Sequence, residues 1–576
     1  MRQTLDRPPA PVHGPETSSR WWLCGILIAA TVAPAALLSW IVWRYGVDVP
    51  AHDSWHMVFM FRRFLTGDWV WNDLFGQVNE SRLPLPKLMV FGLAVLTHWN
   101  VRAELFLQQG LVATLTVALY FVGRRTLHAS LPSRLLVLAA SSMLLFTPVQ
   151  TQNPLWGIQF ILFIPPLCLA GAALIAHARW SPWTRRIAAL AACIVSMYSY
   201  ANGLSLFALV PFIVEPVIAL EDGPRERGRG ARWSRAGAAF WVVCGVAALV
   251  AYFSGYQRPG YHPPMTVALE RPLDALTSYV LYFGSLIYRP GTRRLIPFAF
   301  GMAELVLLAF VATVFVRHRR VPGLLTAAMP WLGFVGFGMG AGALIVAGRL
   351  GFSPDYSLSS RYAPFAASVT IGLVHLVTVV LTHPGGPPRE GVARQMLAAT
   401  GVVFAAVLVV LHAWASVAAM PEYRRLRIER LQAKAALWVV DVTPQPDLKR
   451  LVWAGSWQGS TADLGRWLDS RGYLRPPLLH DLAKATRDES LTQSFGWIDT
   501  VTDRPDGRLG LSGWCALPHR GEACDGVLVT ALKPDGAEVP WSAVFPDHAR
   551  PDAAASLKLP PSINVGWSAS VKISPD

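Results

Sequence analysis

The chain has 576 residues, of which 53% are hydrophobic and 15% charged, and it carries a formal charge of +15. Soluble domains have about a quarter of their residues charged, so this composition excludes an ordinary soluble protein and defines a polytopic membrane protein. The excess of Arg and Lys falls in short loops between apolar runs, where it sets topology and gives no argument for nucleic acid.

Residues 1–20, MRQTLDRPPAPVHGPETSSR, read as a polar, Pro-rich cytoplasmic tail, and the apolar run behind them as a retained first span without a cleavage site. A crossing helix takes about 20 apolar residues. On that measure about eleven spans fall near 21–43, 103–122, 134–150, 156–177, 186–201, 203–220, 236–254, 296–316, 323–347, 361–382 and 395–416. The 83–97 piece, with Pro84 and Pro86, reads as an interfacial or re-entrant helix. If it does not cross, the loops with Arg124, Arg125 and Arg134, with Arg179, Arg185 and Arg186, with Arg225, Arg227, Arg229, Arg232 and Arg235, with Arg317, Arg319 and Arg320, and with Arg389 and Arg394 share one side with the N-terminus. The positive-inside rule then places the N-terminus in the cytoplasm and the C-terminal region outside it.

The expected fold is an all-α polytopic membrane domain over 21–416 with an external loop at 44–102, a helical connector over 417–490, and a small all-β sandwich over 491–576. In the connector, Leu426, Leu431 and Leu437 supply the apolar contacts of an amphipathic helix. From Phe495 the runs WIDTV, RLGLSGWCAL, GVLVTAL, VPWSAVF and NVGWSASVKI alternate like strands, and the turn signals RPDGR, KPDGAE and FPDHARPD divide them. Cys24, Cys168, Cys193 and Cys244 lie in apolar runs and read as small buried hydrophobes. Cys515 and Cys524 lie in the polar external region, where a disulfide is expected.

The external loops are long and rich in Tyr, Trp, Asn and Gln, whereas the internal ones are short and basic, which puts function outside. Asp53, in HDSWH at 52–56, sits where a carboxylate can take the proton of an acceptor hydroxyl or hold a divalent cation such as Mg or Mn. Asp48 is its rival on the same segment, and His56 flanks it. Asn79, Glu80, Ser81 and Arg82 immediately precede the interfacial helix at 83–97, which carries Lys87; beside lipid, Glu80 and Arg82 are costly unless paired or used, the plain alternative being a helix cap with a local ion pair. Arg361 and Tyr362 open the tenth span, where the guanidinium either reaches headgroups or holds a lipid phosphate. No Walker loop, GxSxG, HExxH or Rossmann fingerprint occurs, so ATP-driven and cytoplasmic nucleotide chemistry have no motif.

The run from HDSWH through NESRLPLPKLMVFGLAVLTHWNVRAEL resembles the GT-C superfamily of polytopic membrane glycosyltransferases, in an uncharacterised bacterial branch whose loop reads Asn-Glu-His-Arg. Here that stretch is Asn79-Glu80-Ser81-Arg82, so the His is missing while Asn79, Glu80 and Arg82 carry over. The resemblance implies a polyprenyl-phosphate-linked sugar donor, inverting transfer to an envelope glycan or protein acceptor outside the cytoplasm, and residence in a bacterial inner membrane. The candidate catalytic residues are Asp53 and Glu80 and the candidate substrate-binding residues Asp48, His56, Asn79, Arg82, Lys87, Arg361 and Tyr362; of these the resemblance carries over Asp53, Asn79, Glu80 and Arg82, and the others are read from the residues themselves. The C-terminal β region, with Gly-Trp pairs at 513–514 and 566–567, resembles a domain appended to some such proteins. The rival readings are a transporter or flippase for lipid-linked saccharide, for which Glu215, Glu304, His375 and His412 are the ionisable groups within spans, and an envelope polymerase or ligase.

Overall fold

A computed structural model of the protein describes residues 18–221, 234–387, 391–452, 460–482, 495–517, 519–561 and 563–572. The tail before residue 18, Arg225, Arg227, Arg229 and Arg232, and Arg389 lie outside the described residues. Two compact units emerge, the first of residues 1–40, 110–150 and 162–417, the second of residues 41–109, 151–161 and 418–576.

Among the described residues, nine helices are long and apolar enough to cross a membrane. They coincide with nine of the expected spans and include Val101–Thr126, Leu324–Arg349 and Ser360–Thr382. The other two expected spans are the helices Leu131–Leu145 and Pro182–Met197, of 15 and 16 residues. Both are opened by a Ser whose hydroxyl accepts from the backbone three residues on, so capping fixes their starts. Pro84–Thr97 is a helix of 14 residues, too short to cross. The surfaces of the long helices are crowded with exposed large apolar side chains, such as Val242, Val243, Leu249 and Val250, or Val402, Val403 and Val410. Apolar exposure on that scale marks contact with lipid, and the chain is a multi-pass membrane protein.

In the first unit the helix ends sort by face. Residues that end three helices, Arg125 with Thr126, His177 and His383, line one cavity together with Val321–Gly323, the link into Leu324–Arg349. The loops expected to share one side therefore do so at these four places. The segment after Gly255, expected as a loop, instead forms a half-length helix, Pro272–Phe283. Its Tyr282 hydroxyl donates to the Gly338 carbonyl at 2.8 Å and Tyr279 to Met339 at 3.1 Å, in the middle of the Leu324–Arg349 helix. Gly342 makes room, since a Cβ there would meet the Tyr282 ring at 2.5 Å. The Tyr279 and Tyr282 side chains of this expected loop thus serve packing, on a half-length helix against Leu324–Arg349.

The buried ionisable groups of this unit have local partners. Arg186 grips Glu215 with two bonds of 2.8 Å, and the Trp241 indole adds a third at 2.9 Å, tying three helices together. Thr370 donates to Glu304 at 2.6 Å. The His375 ring lies 3.6 Å over Trp331, and His412 bonds the Leu286 carbonyl at 3.2 Å.

In the second unit, residues 41–109 pack with the C-terminal region. Leu426 and Leu437 of the Met420–Trp438 helix are buried and Leu431 is half-buried. Beyond it stand strands β3 (Gly496–Asp503), β4 (Arg508–Leu517), β5 (Glu522–Ala523), β6 (Val527–Leu532), β7 (Glu538–Val544) and β8 (Gly566–Lys572), β1 and β2 being the short hairpin at 77–82 described below. β4 is central, paired antiparallel with β3, β5 and β8, while β6 and β7 form a separate hairpin. The two RPDG and KPDG signals close hairpins, with Gly507 at φ +72° and Gly536 at φ +81°, the left-handed conformation such turns require. The third signal, FPDHARPD, leads into the helix Pro551–Ser556 instead. Alternate residues of β4 face opposite sides: Leu511 and Cys515 join Val544, Trp567 and Val529 between the two sheets, while Trp514 and Ala516 pack with Ala553 and Ala554 of that helix. Cys515 and Cys524 form a disulfide with Cα atoms 5.7 Å apart.

The two Gly-Trp pairs face each other in register, Gly513 opposite Trp567 and Trp514 opposite Gly566. Trp567 is 3% exposed, so it is core and not an open sugar platform. A Cβ on Gly513 would stand 2.1 Å from the Trp497 carbonyl oxygen and 2.8 Å from the Trp567 ring. Gly513→Val is therefore expected to destabilise the β region by about 1–3 kcal/mol, the usual cost of overpacking. Limited proteolysis of residues 495–572 during a thermal ramp reads this directly; wild-type protection would show the contact is slack.

Candidate active site

The 44–102 segment is a framework of three helices, Ser54–Thr66, Trp71–Phe75 and Pro84–Thr97, with the hairpin β1 (Gln77–Val78) and β2 (Ser81–Arg82) between the last two. Four of the five non-glycine residues with positive φ among the described residues belong to it: His52, Asn79, His98 and Trp99. Such conformations cost about 1–3 kcal/mol and persist only where surroundings enforce them.

Asp53 stands in one of these enforced places. His52 before it has φ +50°. The turn is closed by Ser54 N–H to Ala51 and Trp55 N–H to His52, and the buried Trp55 indole donates to the Pro50 carbonyl at 3.1 Å. The His52 ring packs on Trp156 at 4.8 Å, and Arg430 donates to its Nε2 at 2.8 Å. Arginine has only donors, so Nε2 accepts and the imidazole is neutral with its proton on Nδ1. Asp53 is the residue that caps Ser54–Thr66 by position, but its side chain makes no cap bond to that helix. The residue is half-buried, on a turn closed by these backbone bonds.

The Asn-Glu-Ser-Arg stretch is a hairpin tip and not a helix cap. Val78 pairs with Ser81 and Gln77 with Arg82, leaving Asn79 and Glu80 as the two loop residues. Asn79 takes φ +53°, which Asn tolerates better than most side chains. The helix behind begins at Pro84 with Leu83 in the cap position, so nothing in 79–82 caps it. Arg82 turns back, donating to the Phe75 carbonyl at 3.0 Å, while Glu80 rides on the tip.

Lys87 is fully buried, and its ammonium donates to the carbonyls of Asp73, Leu74 and Gly76 at 2.9, 3.0 and 3.2 Å. All three donors are used by the loop's own backbone, so its structural place is that of a clamp on the Trp71–Phe75 helix. Burial lowers its pKa to about 8 against the pull of Asp73. Asp73 itself forms an ion pair with Arg63 at 3.0 Å and accepts from Val70 N–H at 2.9 Å. Burial, with help from Lys87, pushes His56 down to about 4, so at neutral pH this side chain is an uncharged donor and acceptor. Asp48 accepts from Val101 N–H at 2.8 Å and caps the Val101–Thr126 helix. Burial holds its carboxyl above the usual range although Lys434, Arg475 and Arg102 oppose that.

Arg361 and Tyr362 belong to the first unit. Arg361 donates to the Tyr356 hydroxyl at 2.9 Å and lies 5.9 Å from the Tyr362 ring centre, a guanidinium held among phenols at the start of Ala363–Thr382. Beside it Arg294 pairs with Asp355 at 3.0 Å.

Arg430 and Trp156 are the site residues that the sequence did not yield. Arg430 lies 378 positions from His52, and a basic amphipathic helix carries no mark of which Arg turns inward. Trp156 was legible only as one of many interfacial aromatics.

No family model matches the chain, and no curated protein matches it. Among solved structures it is similar to ArnT from Cupriavidus metallidurans bound to undecaprenyl phosphate, at 12% identity and a TM-score of 0.36 over 77% of this chain and 88% of that one. It is also similar to an Archaeoglobus fulgidus oligosaccharyltransferase tethered to an acceptor peptide, at 12% identity and a TM-score of 0.36 over 79% and 63% of the two chains. Likeness at that level carries no chemistry, which rests on the residues above.

In the unfolded chain His56 takes a proton below about 6.5, in the folded loop only below about 4. Above pH 6.5 neither state holds it, and between the two values only the unfolded chain does, so stability falls as pH drops through that window. His56→Gln is expected to flatten the fall, measured as the unfolding midpoint against pH; equal slopes in both proteins would remove His56 as the cause.

Proposed function

We propose that the protein is a membrane glycosyltransferase of the GT-C kind, moving a sugar from a polyprenyl-phosphate-linked donor to an acceptor outside the cytoplasm, with inversion. The observation that carries this reading is the enforced turn at His52–Asp53, whose His52 ring is bonded by Arg430 and packed on Trp156, so that the backbone bearing the Asp53 carboxylate is held in place. Orientation of that kind is what general-base catalysis needs. Asp53 takes the proton of the acceptor hydroxyl; that oxygen forms a bond to the sugar C1 as the bond from C1 to the phosphate oxygen breaks, and the lipid phosphate leaves with the electron pair. A single displacement inverts C1. Arg361 is assigned to the donor phosphate, whose charge grows in the transition state, and Glu80, on its hairpin tip, to the acceptor. Under the proposed orientation the N-terminus is cytoplasmic and the C-terminal region is not.

We assign Asp53 as base; its rival role is to hold a Mg or Mn ion together with the donor phosphate oxygens. Among the described residues no group of three or more His, Cys, Asp or Glu stands close enough to hold a metal. The transporter reading is the weaker one, because Glu215, Glu304, His375 and His412 are bound within the helix packing.

With radiolabelled polyprenyl-phosphate sugars in membranes, Asp53→Asn is expected to lower transfer about 100- to 10,000-fold, the contribution of a general base, with normal insertion. Wild-type rates in that variant would sink the assignment. Arg361→Gln is expected to weaken donor use about 10- to 150-fold, the worth of a charged hydrogen bond of about 1.5–3 kcal/mol, and an unchanged donor dependence would remove its role.

A further inference from the structure

The first unit contains a cavity of about 530 Å³ that the transferase reading does not use. Its lining includes Arg125, His128, His177 and His383 with Thr326 and Gly323, and, among the described residues, no carboxylate. The volume is within the range of about 300–1,000 Å³ typical of small-molecule sites.

The placement of the histidines follows a pattern. His177 is the C-cap of Ile164–Ala176, His383 is the C-cap of Ala363–Thr382, and His128 follows two residues after Val101–Thr126. Helix C-termini carry partial negative charge and favour imidazolium. Into the same cavity opens the other kind of end, at Gly323, which has φ +78° and starts the 26-residue helix Leu324–Arg349. That end carries partial positive charge and backbone donors.

The donors are arranged as well. His383 is 8% exposed, and its Nδ1 accepts from Gly385 N–H at 3.3 Å, so Nε2 carries the proton. A Cβ on Gly323 would lie 3.5 Å from that Nε2, which places the imidazole N–H at the start of the Leu324–Arg349 helix. The His128 ring stands 4.9 Å from the His383 ring, edge to face. Arg125 gives one N–H to the Leu174 carbonyl at 2.9 Å and is otherwise exposed at the cavity. Burial, and then the neighbouring His128, lower the pKa of His383.

We propose that this cavity is a binding site for a phosphate monoester, recognised by the His128–His383 pair, Arg125 and the amino end of Leu324–Arg349. It is separate from Arg361. That residue lies at the opposite end of Ala363–Thr382, and 20 residues of helix span about 30 Å. The proposal stands independently of the transferase reading. The phosphate comes either on a lipid headgroup or on a soluble molecule, and the two sources differ in the test.

Full-length protein in mild detergent at one pH near 6.5 would be given dioleoyl phosphatidic acid or dioleoyl phosphatidylcholine, and retained lipid counted by native mass spectrometry. A parallel sample would receive inorganic phosphate, with the unfolding midpoint recorded. A lipid source predicts at least a 5-fold preference for phosphatidic acid; a soluble source predicts a rise in midpoint with phosphate. Either effect should drop to the phosphatidylcholine or buffer baseline in His128→Gln, an exposed position that folding tolerates, and in His383→Gln. Arg317→Gln, a basic residue of the same face outside the lining, should leave it intact. The proposal is overturned if neither effect occurs, if both His variants keep it, or if Arg317→Gln removes it equally.

Discussion

Hydrocarbon offers backbone groups no water, so a segment that crosses it must satisfy every N–H and C=O within itself. That constraint divides this chain. Apolar helices carry the regular backbone, and irregular conformation collects at helix ends and in the 44–102 segment, which holds His52, Asn79, His98 and Trp99 in the left-handed region. Strain there is sustained by enclosure: Trp55 on Pro50, Trp156 on His52, Lys87 on three carbonyls, and Arg430 on the His52 imidazole. An exposed loop of the same sequence would relax.

The same enclosure explains why charges that looked functional differ in use. Lys87 and Asp48 are bonded to backbone groups that a short loop leaves without partners. A buried carbonyl or amide without a bond costs about 1–3 kcal/mol, so these two side chains offset part of their own burial. Asp53 and Glu80 have another setting, one on an enforced turn and one on a hairpin tip. The acids of this segment thus divide between holding the frame and being held by it.

Much of this was legible in the sequence, for physical reasons. Spans follow from apolar length, the β strands from alternation, and two hairpins from PDG turns whose glycine must adopt positive φ. The half-length helix Pro272–Phe283 was missed because its aromatics suggested an interfacial loop, whereas their hydroxyls reach carbonyls of a neighbouring helix. At Asn79–Glu80 the helix cap was the plain alternative to a functional role, and the structure has a hairpin tip instead; the Asn was the signal for it, since its side chain tolerates φ +53°. Lys87 looked like a ligand cation because its acceptors are backbone atoms 11 to 14 residues upstream, which no side-chain pattern reveals. The Arg430–His52 bond spans 378 positions and was out of reach of any local rule.

The central claim is that the pinned turn acts through Asp53. The direct measurement is the transfer rate of Arg430→Met made alone and made on top of Asp53→Asn. If Arg430 works by orienting the turn, its loss lowers the rate in the protein that has Asp53 and changes nothing further once the carboxylate is gone. An equal loss in both backgrounds would mean that Arg430 serves elsewhere and that the turn is scaffold alone.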